Sequence, residues 1–229
     1  MKKIIIDKRE WLAFFREFIA VVLGIVLTFW GQGIYDRHEE RENVKEALSL
    51  VRDELKDNLE NLNFAQQAIS QEVTAAKFLI RYEKDYTKAP ADSLEAFNQV
   101  PFMILYLNTT DDAMELLKTS ALFSKIDDKE LALTIIEAYA SIRTAHDMFC
   151  GFYDIKKEMV NEASSPKVTS VFNNDDATAI DIWTEMARIP EGQQMLHHIP
   201  KIFPDEYQLK PTMQIVQYTI DEIDKYLQQ

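Results

Sequence analysis

The sequence predicts an all-α protein in which an N-terminal transmembrane helix continues into a long helix that packs in an extramembrane helical bundle. Three observations carry this expectation. Residues 18–34, FIAVVLGIVLTFWGQGI, are seventeen positions without a charge. From Tyr35 to Ala89 neither glycine nor proline interrupts the chain. Of five glycines only Gly151 and Gly192 lie beyond residue 34, too few for the turns of a β-rich domain or for a phosphate loop.

Residues 1–10 form a charged tail, expected in the cytoplasm, and residues 11–34 the transmembrane helix. The uncharged run reaches about 25 Å at helical rise, and the upstream Trp11-Leu12-Ala13-Phe14-Phe15 supplies the rest of a ~30 Å hydrocarbon core. Phe18 opens the run; Trp11 at one end, and Trp30 and Tyr35 at the other, stand where an aromatic belt forms. No small-residue cleavage site comes after it, so the segment reads as an anchor rather than a signal peptide. Five Lys and Arg precede it, and three lie beyond it up to residue 45. This bias places the N-terminus in the cytoplasm and the C-terminal domain on the far side of the membrane. Ala20, Gly24 and Thr28 recur every four residues, a ladder that lets another helix approach closely.

Residues 35–229 constitute the helical domain. A long helix is expected over 35–86, with apolar positions at Val44, Leu48, Val51, Leu55, Leu62, Ala65, Ile69, Ala76 and Leu79. Asn58 and Glu72 interrupt this 4-3 seam. Two packings fit it. In a coiled coil between two copies, Val51, Leu55, Asn58 and Leu62 form the interface and Asn58 fixes its register. In a bundle the same seam is covered by later helices, and Phe64, Phe78 and Ile80 widen the apolar face in that direction.

The bundle proper is expected over 92–188. Asp92 or Ser93 caps a short apolar helix running from Leu94 to Leu107, with a break or kink at Pro101. Asp111-Asp112 and Asp127-Asp128 open further helices. The second is long, Lys129 to about Ala163, with Leu131, Ile135, Tyr139, Ile142, His146, Phe149 and Tyr153 facing inward. Residues 167–176 read as a loop and Ala177–Arg188 as a helix. A proline-rich cap comes next over 189–211, irregular except for a short helix from Gly192 to Ile199. The closing helix spans 212–227.

The net charge is −13; five basic against three acidic residues in 1–34 leave −15 for the rest. Such a domain repels nucleic acid and anionic headgroups and favours a basic partner. No catalytic, cofactor or metal set is expected. The acidic doublets, Asp175-Asp176 included, sit where helix caps belong. His197 and His198 point about 100° apart on a helix and do not share an ion. His146 reads as a hydrogen-bonded core histidine and Cys150, the only cysteine, as a buried thiol.

Phe15-Arg16-Glu17-Phe18 with Gly24-Ile25, the acidic helix Glu46 to Leu62, and Ala113-Met114-Glu115-Leu116-Leu117-Lys118-Thr119-Ser120 with Ile126 and Leu131 to Ile136 together resemble a family of bacterial single-pass membrane proteins. Its members carry an N-terminal anchor leading into a long acidic helix. Gly31-Gln32-Gly33 stands where that family has Asn-x-Trp-like residues. The resemblance implies a bacterial membrane protein and transfers no catalytic residue. The function expected from all of this is that of a membrane-anchored scaffold or accessory subunit, not an enzyme, whose partners besides the bilayer are a second copy or another membrane protein. The alternative is a periplasmic ligand-sensing domain that signals through a partner, with a pocket lined by Phe149, Tyr153 or Trp183.

Overall fold

A computed structural model describes residues 8–164, 166–202 and 209–228, without the side chains of 8–21, 24–37 and 167. The expected span and its ladder, Phe18, Ala20, Gly24, Thr28 and Trp30, fall among those side chains and lie outside the described residues. The backbone there is helical and runs without a break as far as Tyr82. No helix among the described residues is long and apolar enough to cross a membrane.

Eight α-helices and no strands make up the described residues: α1 (Lys8–Tyr82), α2 (Ala91–Phe97), α3 (Asp112–Thr119), α4 (Lys129–Ala163), α5 (Pro166–Phe172), α6 (Ala179–Arg188), α7 (Pro190–Ile202) and α8 (Lys210–Leu227). With no proline in it, and no glycine beyond residue 33, α1 runs for 75 residues before a turn, where Asp85 caps a short 3-10 turn by accepting from the Thr87 N–H. α4 starts where Asp128 accepts from the N–H groups of Glu130 and Leu131, and α6 starts at a reciprocal Thr178–Asp181 capping box.

Side-chain pairs fix the topology. Glu54 meets Tyr139, and Glu72 meets Tyr153 and Lys156, so α1 and α4 run in the same direction. Arg52 meets Asp224, and Gln66 accepts from the Leu209 N–H, so α8 runs back along them, with α7 continuing its line at the far end. On the other side of α1 the return path is only partly helical. After α2 and a 3-10 turn at Val100–Phe102, residues 103–111 descend without helix or strand, and then come α3 and a 3-10 turn at Leu122–Lys125. The result is an up-down-up-down bundle in which one descending helix is replaced by an extended segment flanked by short helices.

Two cores fill it. One joins Val44–Val73 of α1 to α3, Leu131–Tyr153 of α4, α8 and Leu107 of the extended segment. The other joins Ala76 and Leu79 to Tyr86, Leu94, α6 and α7 around a fully buried Trp183, which stacks on Phe102 at 5.2 Å. A fully buried aliphatic or aromatic side chain stabilises the fold by about 1.5–3 kcal/mol.

Several expectations need correction. The seam that could pair two copies is filled by this chain's own helices: Val51, Leu55 and Leu62 are fully buried and Asn58 is 1% exposed within a single chain. Phe64 does not widen that seam; it is 61% exposed. The helix expected up to Leu107 stops at Phe97, because Pro101 has no N–H to continue it and buried side chains capture the backbone beyond it. The expected loop at 167–176 begins with α5, whose first residue, Pro166, is pre-set for a helix start. The Pro-rich cap is largely α7, which opens on Pro190 and carries Pro200 close to its end. Asp175-Asp176 does not cap α6; Thr178 does. α2 has Pro90 at its cap position and no side-chain cap from Asp92 or Ser93.

Candidate functional site

An extended segment inside a helical bundle brings backbone polar groups to a place where no ladder satisfies them, and buried side chains must do so instead. The two polar interruptions of the α1 seam take this role. Asn58 donates to the Thr110 carbonyl at 2.8 Å and accepts from the Thr110 N–H at 3.0 Å, pairing with the backbone as a neighbouring strand would. Glu72 works through α4. Its Oε1 accepts from Lys156 Nζ at 2.6 Å and from the Tyr153 hydroxyl at 2.7 Å. Lys156 also donates to the carbonyls of Met103, at 2.5 Å, and Val100, at 3.4 Å, which uses all three of its donors. The extended segment is thus held at both ends.

Glu72 and Lys156 are 2% and 1% exposed, the most deeply buried ion pair among the described residues. Burial pushes the Glu72 carboxyl above its ordinary range, partly offset by Lys156. Burial equally pulls the Lys156 ammonium below its ordinary range, partly offset by Glu72. The Tyr153 hydroxyl is pushed up by burial and then by the adjacent carboxylate. Glu72 Oε2 has no hydrogen-bond partner among the described residues.

One level lower, Glu54 bridges three elements. It accepts from the Tyr139 hydroxyl on α4 and, at 3.0 Å, from the Ala113 N–H in the first turn of α3. Glu54 therefore takes the capping role expected of Asp111, whose side chain makes no cap bond although it stands at the N-cap position. Asp111 instead lines a cleft of about 100 Å³ together with Thr109, Thr110, Tyr139, Ile142, Arg143 and His146.

The sequence-derived site residues separate into three groups. Phe149, Tyr153 and Trp183 are packed in the core, each at most 1% exposed. His146 leaves the inward stripe, is 38% exposed, and lies beside Asp147 with its Nδ1 3.3 Å from the carboxylate. Its Nε2 is 3.6 Å from Cys150 Sγ, so the half-buried thiol and the imidazole are neighbours one turn apart. His197 pairs with Glu83 at 2.7 Å, and no group of three metal-ligating side chains occurs among the described residues.

Glu54, Tyr139, Lys156, Asp111 and Arg143 take roles here that the sequence did not signal. The interruptions at Asn58 and Glu72 were the available clue, because a polar group in an apolar seam demands a partner.

No protein-family model, curated protein or solved structure matches the chain. Function is therefore read from this chain's own geometry.

Proposed function

We propose that the protein is a membrane-anchored accessory subunit whose helical domain docks, through the outward face of α4, on a helix of another membrane protein. The observation that carries this reading is the residue pattern on that face. Leu133, Ile136, Met148 and Ile155 are exposed large apolar side chains, and exposed Ala140, Thr144 and Gly151 lie between them. Leu133–Thr144–Ile155 and Ala140–Gly151 keep to an eleven-residue repeat, with Ile136 and Met148 to either side, which holds a stripe on one side of the helix. At Gly151 an added Cβ would meet nothing within 4 Å, so the surface there is open to a close-packing neighbour.

The rest of the reading comes from the sequence. The uncharged run at 18–34 supplies the anchor in a bacterial inner membrane, N-terminus inside and domain in the periplasm. The acidity of the domain favours a partner with basic residues around the docked helix. The α1 seam takes no part in docking, because it is closed within the chain.

Cysteine crosslinking in intact membranes tests this, with Cys150→Ser as the background. Ala140→Cys and Met148→Cys are expected to form an adduct with one discrete membrane protein of different mass, while Leu55→Cys forms none. Same-position dimers at Ala140 would assign the face to a second copy instead. Silence at both α4 positions would sink the docking reading.

A further inference from the structure

We infer that the cleft between the end of the extended segment and α4 is a binding site for a small zwitterion of the α-amino acid class. Two opposite charges, Asp111 and Arg143, line the same cavity of about 100 Å³. Neither forms an ion pair among the described residues, with each other or with any other side chain. Opposite charges in one cleft that are too far apart to pair are matched by a ligand that carries both signs at a short fixed separation. The ammonium of an amino acid meets the Asp111 carboxylate. Its carboxylate meets the Arg143 guanidinium, whose planar fork binds carboxylates by two parallel hydrogen bonds.

The surroundings are consistent with a held site. Asp111 stands at the N-cap of α3, the position where an aspartate ordinarily spends its carboxylate on helix N–H groups, yet Glu54 accepts from the Ala113 N–H instead. That substitution leaves the Asp111 carboxylate for the cleft. The same Glu54 accepts from Tyr139, and Asn58 takes both backbone groups of Thr110. Thr110 and Tyr139 in the cleft lining are thereby fixed by Asn58 and Glu54. His146 adds a second nitrogen-bearing group near Arg143, and Ile142 offers a small apolar contact. The volume admits several waters or a ligand of a few heavy atoms, so glycine and L-alanine fit the class and bulky amino acids do not. The cleft adjoins the outward stripe of α4 at Arg143, one turn from Ala140, and its assignment does not rest on the docking reading.

Calorimetric titration of the full chain in detergent at low salt, with glycine and L-alanine as probes, is the test. Saturable binding is expected, weakened at least about tenfold by Asp111→Asn and separately by Arg143→Gln. Both residues are exposed, and an unchanged circular dichroism melt would show that the variants remain folded. Acetate and methylamine, each carrying half of the ligand's charge, are expected to bind much more weakly than glycine. Absence of saturable binding, or equal binding by wild type and both variants, would overturn the inference. Acetate binding as tightly as glycine would overturn the amino acid class and leave a simple anion site.

Discussion

Asn58 and Glu72 occupy equivalent places on one face of α1, fourteen residues apart, yet they hold the two ends of the extended segment by different chemistry. At the lower end a neutral amide pairs with both backbone groups of Thr110 among aliphatic side chains. At the upper end a carboxylate and an ammonium are both taken out of water, and the ammonium does the holding. A neutral pair costs little to desolvate, whereas each buried ion costs several kcal/mol that only its partner offsets. The two ends therefore serve the same purpose with unequal tolerance of change.

The largest expected effect comes from that inequality. Lys156→Met leaves Glu72 buried without a counter-charge and the Met103 and Val100 carbonyls without their donor. It should cost about 3–5 kcal/mol in urea unfolding monitored by circular dichroism. Adding Glu72→Leu in the same chain should recover most of that loss, since a buried pair replaced as a whole by apolar groups is often close to neutral. Failure of the double substitution to recover stability would mean that the held backbone, not the charge, dominates at this end.

Asn58→Ala should cost less, about 1–3 kcal/mol, because it orphans one N–H and one carbonyl without exposing a charge. If it cost as much as Lys156→Met, the distinction between the two ends would be lost.

The junctions between helices offer the same contrast. Near the upper end Gly192, in the first turn of α7, packs against the end of α6, and a Cβ there would stand 2.3 Å from the Met186 carbonyl oxygen. Gly192→Ala should therefore cost about 1–3 kcal/mol, measured as a shift of the urea midpoint. Near the lower end Ala121, between α3 and the next turn, holds a left-handed backbone with φ of 59°. Here glycine is the better residue, and Ala121→Gly should raise stability by about 0.5–1 kcal/mol.

The smallest effect is the pH dependence that Glu72 adds at the upper end. The folded-state pKa of Glu72 is raised, so its contribution is most favourable below the ordinary carboxylate range and is lost as pH rises through the folded value. Stability of wild type relative to Glu72→Gln should thus increase as pH is lowered from 7 towards about 4.3, the ordinary glutamate value. The corresponding difference between wild type and Asn58→Ala should stay flat over the same range.

Much of the architecture was legible in the sequence for one reason: a 3.6-residue apolar period survives any choice of partner. It placed α1, α4 and α8, and it marked Asn58 and Glu72 as interruptions. It could not say what they met. The coiled-coil and bundle readings bury the same residues, and what tells them apart is that α3, α4, α8 and the extended segment at 103–111 cover the seam. That segment was hidden because Ile104, Leu105 and Leu107 continue a helix-like apolar pattern past Pro101. The cleft was hidden for another reason. Asp111 carries the signature of a helix cap, and its release from that role depends on Glu54, fifty-seven positions earlier in the chain.

The central claim is that Asn58 holds Thr110 of its own chain rather than a second copy's seam. Amide hydrogen exchange at Thr110 in the full chain, wild type against Asn58→Ala, tests it most directly. The Thr110 amide should be protected in wild type, and its protection should fall selectively in the variant, ahead of the amides of α4 and α8. A Thr110 amide that exchanges at the same rate in both proteins would contradict it.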